Sequence, residues 1–328
     1  MPGSLKSAQG GYMKTMKGLE LSRRFYLECG EPMLREQFGD ILDLLAVGLI
    51  GSGSECFGYD DIYSQDHDFE PGFCIFLPDE SIVDRKRAFA LERAYSKLPQ
   101  EFMGYRRSYL SPVGGDRHGV MRISEFVASR TGSEDGILST EQYFAIPEQA
   151  LAELTNGELF FDSYGQMSEI RQRLSFFPED VRLKKLAGNL LLMGQAGQYN
   201  YRRCIARGES AAAQLAAHEF VKAALAVIFL LNKRYMPYYK WSFRALSELE
   251  RLSELAKPLE YLISSGNSES ESAKKSEIVE QICRDVALAM KDNGLVTAGD
   301  SSMEELAYSV NALIADSNVR NLHILYAI

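Results

Sequence analysis

The stretch that decides the fold is Leu45-Ala-Val-Gly-Leu-Ile50, which runs into Gly51-Ser-Gly-Ser54 and is followed by Asp66-His-Asp-Phe69 and Gly72-Phe-Cys-Ile-Phe-Leu77. The first apolar run is short and stops at a Gly/Ser cluster, which predicts a buried strand delivering the chain to a tight turn, with a helix end as the other reading. The last run predicts a second buried strand, ended by Pro78. Between them lies a polar, Tyr/Asp-rich loop over residues 55–65. Glycine lets backbone come close to a phosphate, and serine adds a hydroxyl beside backbone N–H groups. Asp66 and Asp68 are two residues apart, so on extended backbone both carboxylates point to one side. Two such carboxylates can share a hard cation that also binds phosphate oxygens.

Outward from this core, Thr15 to Cys29 and Pro32 to Leu44 read as helices, the second with Pro in its first turn. Ile82 to Leu98 reads as a helix. Gly119-Val-Met-Arg-Ile-Ser124 predicts a further strand, followed by a short helix from Glu125 to Arg130. The N-terminal part is therefore α/β or α+β, and the expectation taken is α+β, a mixed sheet with flanking helices. Pro147 to Leu154 reads as a short helix, from Ser168 to the end helical patterns dominate, and Ser210 to Leu231 is apolar around most of its circumference, as the central helix of a bundle is. The predicted division is a tail over residues 1–14, an α+β domain over 15–140 and an all-α helical bundle over 141–328. Residues 264–276, rich in Ser and charge, read as a polar interhelical loop.

The 328 residues suffice for about two domains of roughly 150 residues each. Their 36 Lys+Arg against 45 Asp+Glu give a net charge of −9, which disfavours nucleic acid as a general partner. The five cysteines and four histidines are scattered without zinc-ligand spacing, as in a reducing compartment. The opening Met-Pro-Gly-Ser-Leu-Lys has no apolar core of the kind a secretory signal carries, so none is expected. The longest apolar run, Ala223 to Leu231, falls short of the ~20 residues that span a bilayer. A cytoplasmic protein without membrane attachment is the expectation.

The turn and the acid pair together resemble the polymerase-β-like nucleotidyltransferase superfamily. Its motif is a hydrophobic residue, Gly-[Gly/Ser], a gap of roughly nine to thirteen residues and Asp-x-[Asp/Glu]. Gly53-Ser54 and Gly51-Ser52 both fit the spacing to Asp66. The string from Gly51 to Asp60 with Asp66-His-Asp-Phe69 is similar to a narrower bacterial family, a domain of unknown function assigned to this fold. So are Ile146-Pro-Glu-Gln-Ala-Leu-Ala-Glu-Leu-Thr-Asn-Gly157 and Asn232-Lys-Arg-Tyr-Met-Pro-Tyr-Tyr-Lys-Trp241, and the resemblance spans about Leu19 to Leu249. It implies a nucleotidyltransferase-like fold and Mg²⁺ (or Mn²⁺) held by Asp66 and Asp68, the catalytic pair. It also implies a nucleoside triphosphate, ATP by default, with its phosphates on Gly51, Ser52, Gly53 and Ser54. A cleft between the domains would bring Lys240 and Arg234 to the same phosphates. The acceptor would be a small molecule bearing a hydroxyl or similar group.

Superfamily members carry a third carboxylate on a later strand, whereas Gly119 to Ser124 contains no acid. Asp116 precedes that strand, Glu125 follows it, and His118 stands at its start as the group in the third position. This departure favours the alternative function, a catalytically impaired nucleotide-binding or protein-partner module on the same fold. Nucleic-acid polymerisation ranks third, given the acidic charge. Other expectations are structural. His67 faces away from the acids, Asp60 and Asp61 face solvent, and Asp162 caps the turn that follows it. Pro237 ends or kinks the apolar helix, and Lys240 and Arg234 have cation–π packing as their second reading.

Overall fold

A computed structural model describes residues 16–65, 69–107, 117–297 and 302–328. The chain divides into two compact units, Met1–Ile123 with Asn156–Met167, and Ser124–Thr155 with Ser168–Ile328. The division is discontinuous in sequence: the chain leaves the first unit, builds helices in the second, and returns for one strand.

The first unit is the α+β one. Helix α1 (Gly18–Phe25) passes through a π turn at Tyr26–Gly30 into α2 (Glu31–Phe38), which has Pro in its first turn. Strands β1 (Ala46–Leu49) and β2 (Cys74–Leu77) follow, then α3 (Arg85–Ser96), capped by the Asp84 carboxylate accepting from the Arg87 N–H at 2.7 Å. A small hairpin joins β3 (Glu101–Phe102) to β4 (Tyr105–Arg106), and β5 (Gly119–Arg122) and β6 (Glu158–Asp162) complete the unit. The four-stranded sheet has the order β5-β2-β1-β6, with β1 antiparallel to β2 and β6 and β2 parallel to β5. Its inner strands β1 and β2 are buried at every position, and its outer strands are half-buried throughout. That is why the inner pair reads as unbroken apolar runs.

The core beside the sheet joins Phe25, Leu34, Phe38, Val47, Phe73, Ile75, Leu91 and Tyr95. At Gly30 an added Cβ would collide with the Phe73 ring, so the π turn sits directly on β2's approach. The buried Tyr95 hydroxyl donates to the Phe73 carbonyl at 2.9 Å and accepts from the Phe73 N–H at 3.1 Å. Burial also holds its ionisation well above the ordinary phenol range. Tyr95→Phe leaves the Phe73 N–H unpaired in the core and is expected to cost about 1–3 kcal/mol in urea unfolding. An unchanged midpoint would contradict this geometry.

Two sequence expectations change here. The first is β6, whose Leu-Phe-Phe run carries no strand alternation and is paired along the far edge of β1. Asp162 does cap its turn, accepting from the Gly165 N–H at 3.1 Å. The second is Asp60, which is buried rather than solvated. Its carboxylate accepts the Gly18 N–H at 2.9 Å, capping α1 across a long loop, and Lys17 Nζ stands 3.5 Å away. Asp61 is exposed as expected.

The second unit is helical: α4 (Ile123–Thr131), α5 (Thr140–Ala145), α6 (Glu148–Thr155), α7 (Gln166–Arg173), α8 (Glu179–Met193), α9 (Arg202–Ala206) and α10 (Ser210–Leu231). Then come α11 (Tyr239–Leu246), α12 (Ala256–Ser264), α13 (Glu269–Asp292), α14 (Met303–Ala312) and α15 (Ser317–Asn321). Helix α10 packs against α8, and every residue from Ala223 to Leu231 is buried. By length and composition α10 is apolar enough to cross a bilayer, but 67% of that apolar window is buried inside the protein, as in a core helix.

Of the polar string 264–276, only residues 265–268 form the interhelical connection, and the rest from Glu269 is helix. Ser268 and Glu271 form a reciprocal capping box, so the helix α13 begins inside the polar string. Lys275 is buried there, with Nζ donating to Gln214 Oε1 and the Ser265 carbonyl at 2.9 Å each and to Asn267 Oδ1 at 3.1 Å. Nor does Pro237 stop α10. The helix already ends at Leu231, where the Asn232 amide donates to the Ile228 carbonyl at 2.9 Å and the Arg251 carbonyl at 3.0 Å, and Lys233 turns to φ 51°.

Candidate functional site

The pairings Gly48↔Cys74, Leu49↔Glu158 and Cys74↔Gly119 set one end of the sheet. The end of β1 and the starts of β2, β5 and β6 all lie there. Residues 51–54, 69–73, 117–118 and 156–157, far apart in sequence, therefore converge.

The turn after β1 is held from several sides. Gly51 has φ 127°, a conformation open to glycine, and its main chain is clasped by one side chain. Asn156 Oδ1 accepts the Gly51 N–H at 3.0 Å, and Asn156 Nδ2 donates to the Gly51 carbonyl at 2.8 Å. The Cys56 N–H donates to the Gly53 carbonyl at 3.1 Å, the Tyr59 N–H to the Ser54 carbonyl at 2.7 Å, and the Gly157 N–H to the Cys56 carbonyl at 2.8 Å. Gly51 is buried, Ser52 exposed, and Gly53 and Ser54 half-buried. The Gly51 N–H is thus committed within the protein, and the outward part of the turn begins at Ser52.

Charge gathers at the same place. Arg117 is ion-paired with Glu55, and the two side chains are only 24% and 12% exposed. A Cβ on Gly53 would collide with both the Arg117 guanidinium and the Glu55 carboxylate, so the turn lies directly against this pair. His118 Nδ1 is 3.4 Å from Glu70 Oε1, and a Cβ on Gly72 would come within 2.6 Å of the His118 ring. His118 therefore stands where the sequence places it, at the start of β5, beside a carboxylate that no strand motif signals. Asp66, His67 and Asp68, together with Asp116, lie outside the described residues. Among the described residues, no three His, Cys, Asp or Glu side chains group as a metal site.

In the second unit, the Arg234–Trp241 string divides by exposure. Tyr235 is buried, its hydroxyl donating to the Leu174 carbonyl at 3.1 Å and its ring meeting Phe177 edge-on at 4.8 Å. Burial raises its ionisation far above the usual phenol range. Arg234 and Lys240 are exposed, and Lys240 Nζ stands 4.9 Å from the Trp241 ring, a cation–π distance. The packing reading is thus met by Lys240.

Sequence reasoning did not find Glu55, Glu70, Arg117 or Asn156. Asn156 alone carried a local hint, as an Asn-Gly pair before an apolar run. The others acquire meaning only through pairing between distant segments.

No curated protein matches the chain. Residues 143–242 include the Arg234–Trp241 string but not the Gly51–Ser54 turn. Over residues 143–242 the chain matches a family model described as a domain of unknown function (DUF4037).

Proposed function

We propose that this protein is a nucleotidyltransferase that moves a nucleoside monophosphate from a nucleoside triphosphate to a small hydroxyl-bearing acceptor, releasing pyrophosphate. The observation that carries the reading is the convergence at one sheet end of the Gly51–Ser54 turn, the segment that directly follows Asp68, and Arg117-His118. The Arg117 guanidinium, paired with Glu55 against Gly53, is of the kind that binds phosphate oxygens, and a phosphate chain would take it over from Glu55.

By the chemistry of their donors, Asp66 and Asp68 would hold Mg²⁺ or Mn²⁺, both hard cations that take carboxylate oxygens. When bound, such a cation offsets phosphate charge and polarises the phosphorus under attack. The chain's own groups do the rest. Ser52, Gly53 and Ser54 orient the terminal phosphates. Arg117, held against the Gly53 bend by Glu55, stabilises the negative charge that develops on the pyrophosphate as it leaves. Glu70, steadied by His118, stands in for the acid that β5 lacks and accepts the acceptor's hydroxyl proton. The new bond joins the acceptor oxygen to the α-phosphorus, and the bond to the bridging α,β-oxygen breaks.

The absence of an acid on β5 favours a second reading, a nucleotide-binding or protein-partner module without turnover. Calorimetric titration of the full chain with ATP tests both. Saturable binding that needs Mg²⁺ and vanishes in the Asp66→Ala/Asp68→Ala variant is the result expected of the enzyme. Mg²⁺-independent binding favours the module, and no binding of any nucleoside triphosphate overturns nucleotidyl transfer.

A further inference from the structure

The helical unit contains a cavity of about 680 Å³ that the nucleotidyl-transfer reading does not use. That volume lies within the ~300–1,000 Å³ typical of small-molecule sites. Its walls are mainly apolar, from Leu192 of α8, Ala223 and Ala226 of α10, and Met236-Pro237 ahead of α11. Four charged side chains line it: Glu219 and Lys222 of α10, exposed and paired with each other at 3.3 Å, and the buried Glu148 and Lys185. Glu148, in the first turn of α6, and Lys185 of α8 have their Oε1 and Nζ atoms 3.9 Å apart. Both side chains are mostly buried, at 16% and 8% exposure.

The pairing is loose. A separation of 3.9 Å exceeds hydrogen-bond length. Glu148 Oε2 accepts the Met236 N–H at 3.3 Å, and Lys185 Nζ donates to the Ala327 carbonyl at 3.4 Å, both long contacts. An oxygen atom between Oε1 and Nζ could donate to the carboxylate and accept from the ammonium at normal distances. A charged head would gain one partner and face repulsion from the other in a desolvated site. Burial already biases both groups toward their neutral forms, raising the Glu148 carboxyl and lowering the Lys185 ammonium. A neutral hydroxyl improves both contacts without adding charge.

We infer that this cavity binds a small molecule with an apolar body and a neutral hydroxyl head, the hydroxyl bridging Glu148 and Lys185. The inference does not depend on nucleotidyl transfer, since all the lining residues belong to the helical unit. Methyl NMR of the full chain, labelled at Ala and Met, tests it with three probes sharing one body: 4-phenylbutanol, 4-phenylbutylamine and 4-phenylbutyrate. The expected result is saturable shifts at Ala223, Ala226 and Met236, with the alcohol binding about tenfold more tightly than either charged probe. Ala226→Leu, which intrudes on the cavity, should remove these shifts. Glu148→Gln/Lys185→Met should erase the preference for the alcohol, and if that variant does not fold, the three probes on the wild-type chain still decide. Shifts that do not saturate, shifts that survive Ala226→Leu, or a charged probe binding as tightly as the alcohol would overturn the inference. Loss of this binding leaves the Mg²⁺–ATP titration untouched, so the two proposals fail separately.

Discussion

The Asp66→Asn/Asp68→Asn variant is expected to release pyrophosphate at least ~10³-fold more slowly than the wild-type chain in an acceptor screen with Mg²⁺–ATP. Asparagine keeps the size of aspartate and much of its hydrogen bonding but removes both negative charges. The effect then reports charge rather than shape. Two carboxylates that act as one clasp should also be non-additive, so each single variant should lose nearly as much as the pair. Raising Mg²⁺ or Mn²⁺ should restore a single variant in part and the double variant hardly at all. A double variant that turns over at the wild-type rate would refute the assignment of these residues, whatever the acceptor. Full loss of ATP binding together with intact far-UV circular dichroism would place the defect in the site rather than in the fold.

The largest effect on stability is expected from Gly157→Ala, a loss of about 2–4 kcal/mol in urea unfolding. Gly157 has φ 57°, and an added Cβ would collide with the Leu49 carbonyl oxygen, which is backbone and cannot swing aside. The residue also ties the start of β6 to the turn through its N–H to Cys56, and its neighbour Asn156 clasps Gly51. The damage should therefore reach the candidate site and weaken ATP binding as well as folding. Gly165→Ala is the internal control. It has φ 80° but open space where a Cβ would go, so only the left-handed backbone cost of ~1–2 kcal/mol applies. Equal losses in the two variants would mean that the Leu49 carbonyl does not crowd Gly157.

The legible parts of this fold share a physical cause. Strands β1 and β2 lie inside the sheet and are buried on both faces, so their residues are apolar in unbroken runs that read as strands from sequence. Helix α10 was legible because its last turns are surrounded and its residues are apolar on every side. Strand β6 lies at a sheet edge, half-buried along its whole length, and so shows neither alternation nor a full apolar run. The start of α13 looked like a loop because its Ser and Glu residues are polar. Only their three-residue spacing marks the cap, and the role of Lys275 depends on Gln214, which arrives from α10.

From sequence alone came the α+β and helical character of the two parts, the Gly/Ser bend after the first strand, and the helix at the heart of the bundle. These follow from burial periodicity and from backbone freedom at glycine, both local properties of a chain. Tertiary structure alone decided that Asp60 caps α1, that Asn156 returns to clasp Gly51, and that Arg117 meets Glu55 beside Gly53. Each is a polar pairing between distant segments, and an individual polar residue carries no mark of its partner until sheet register and packing bring the two together.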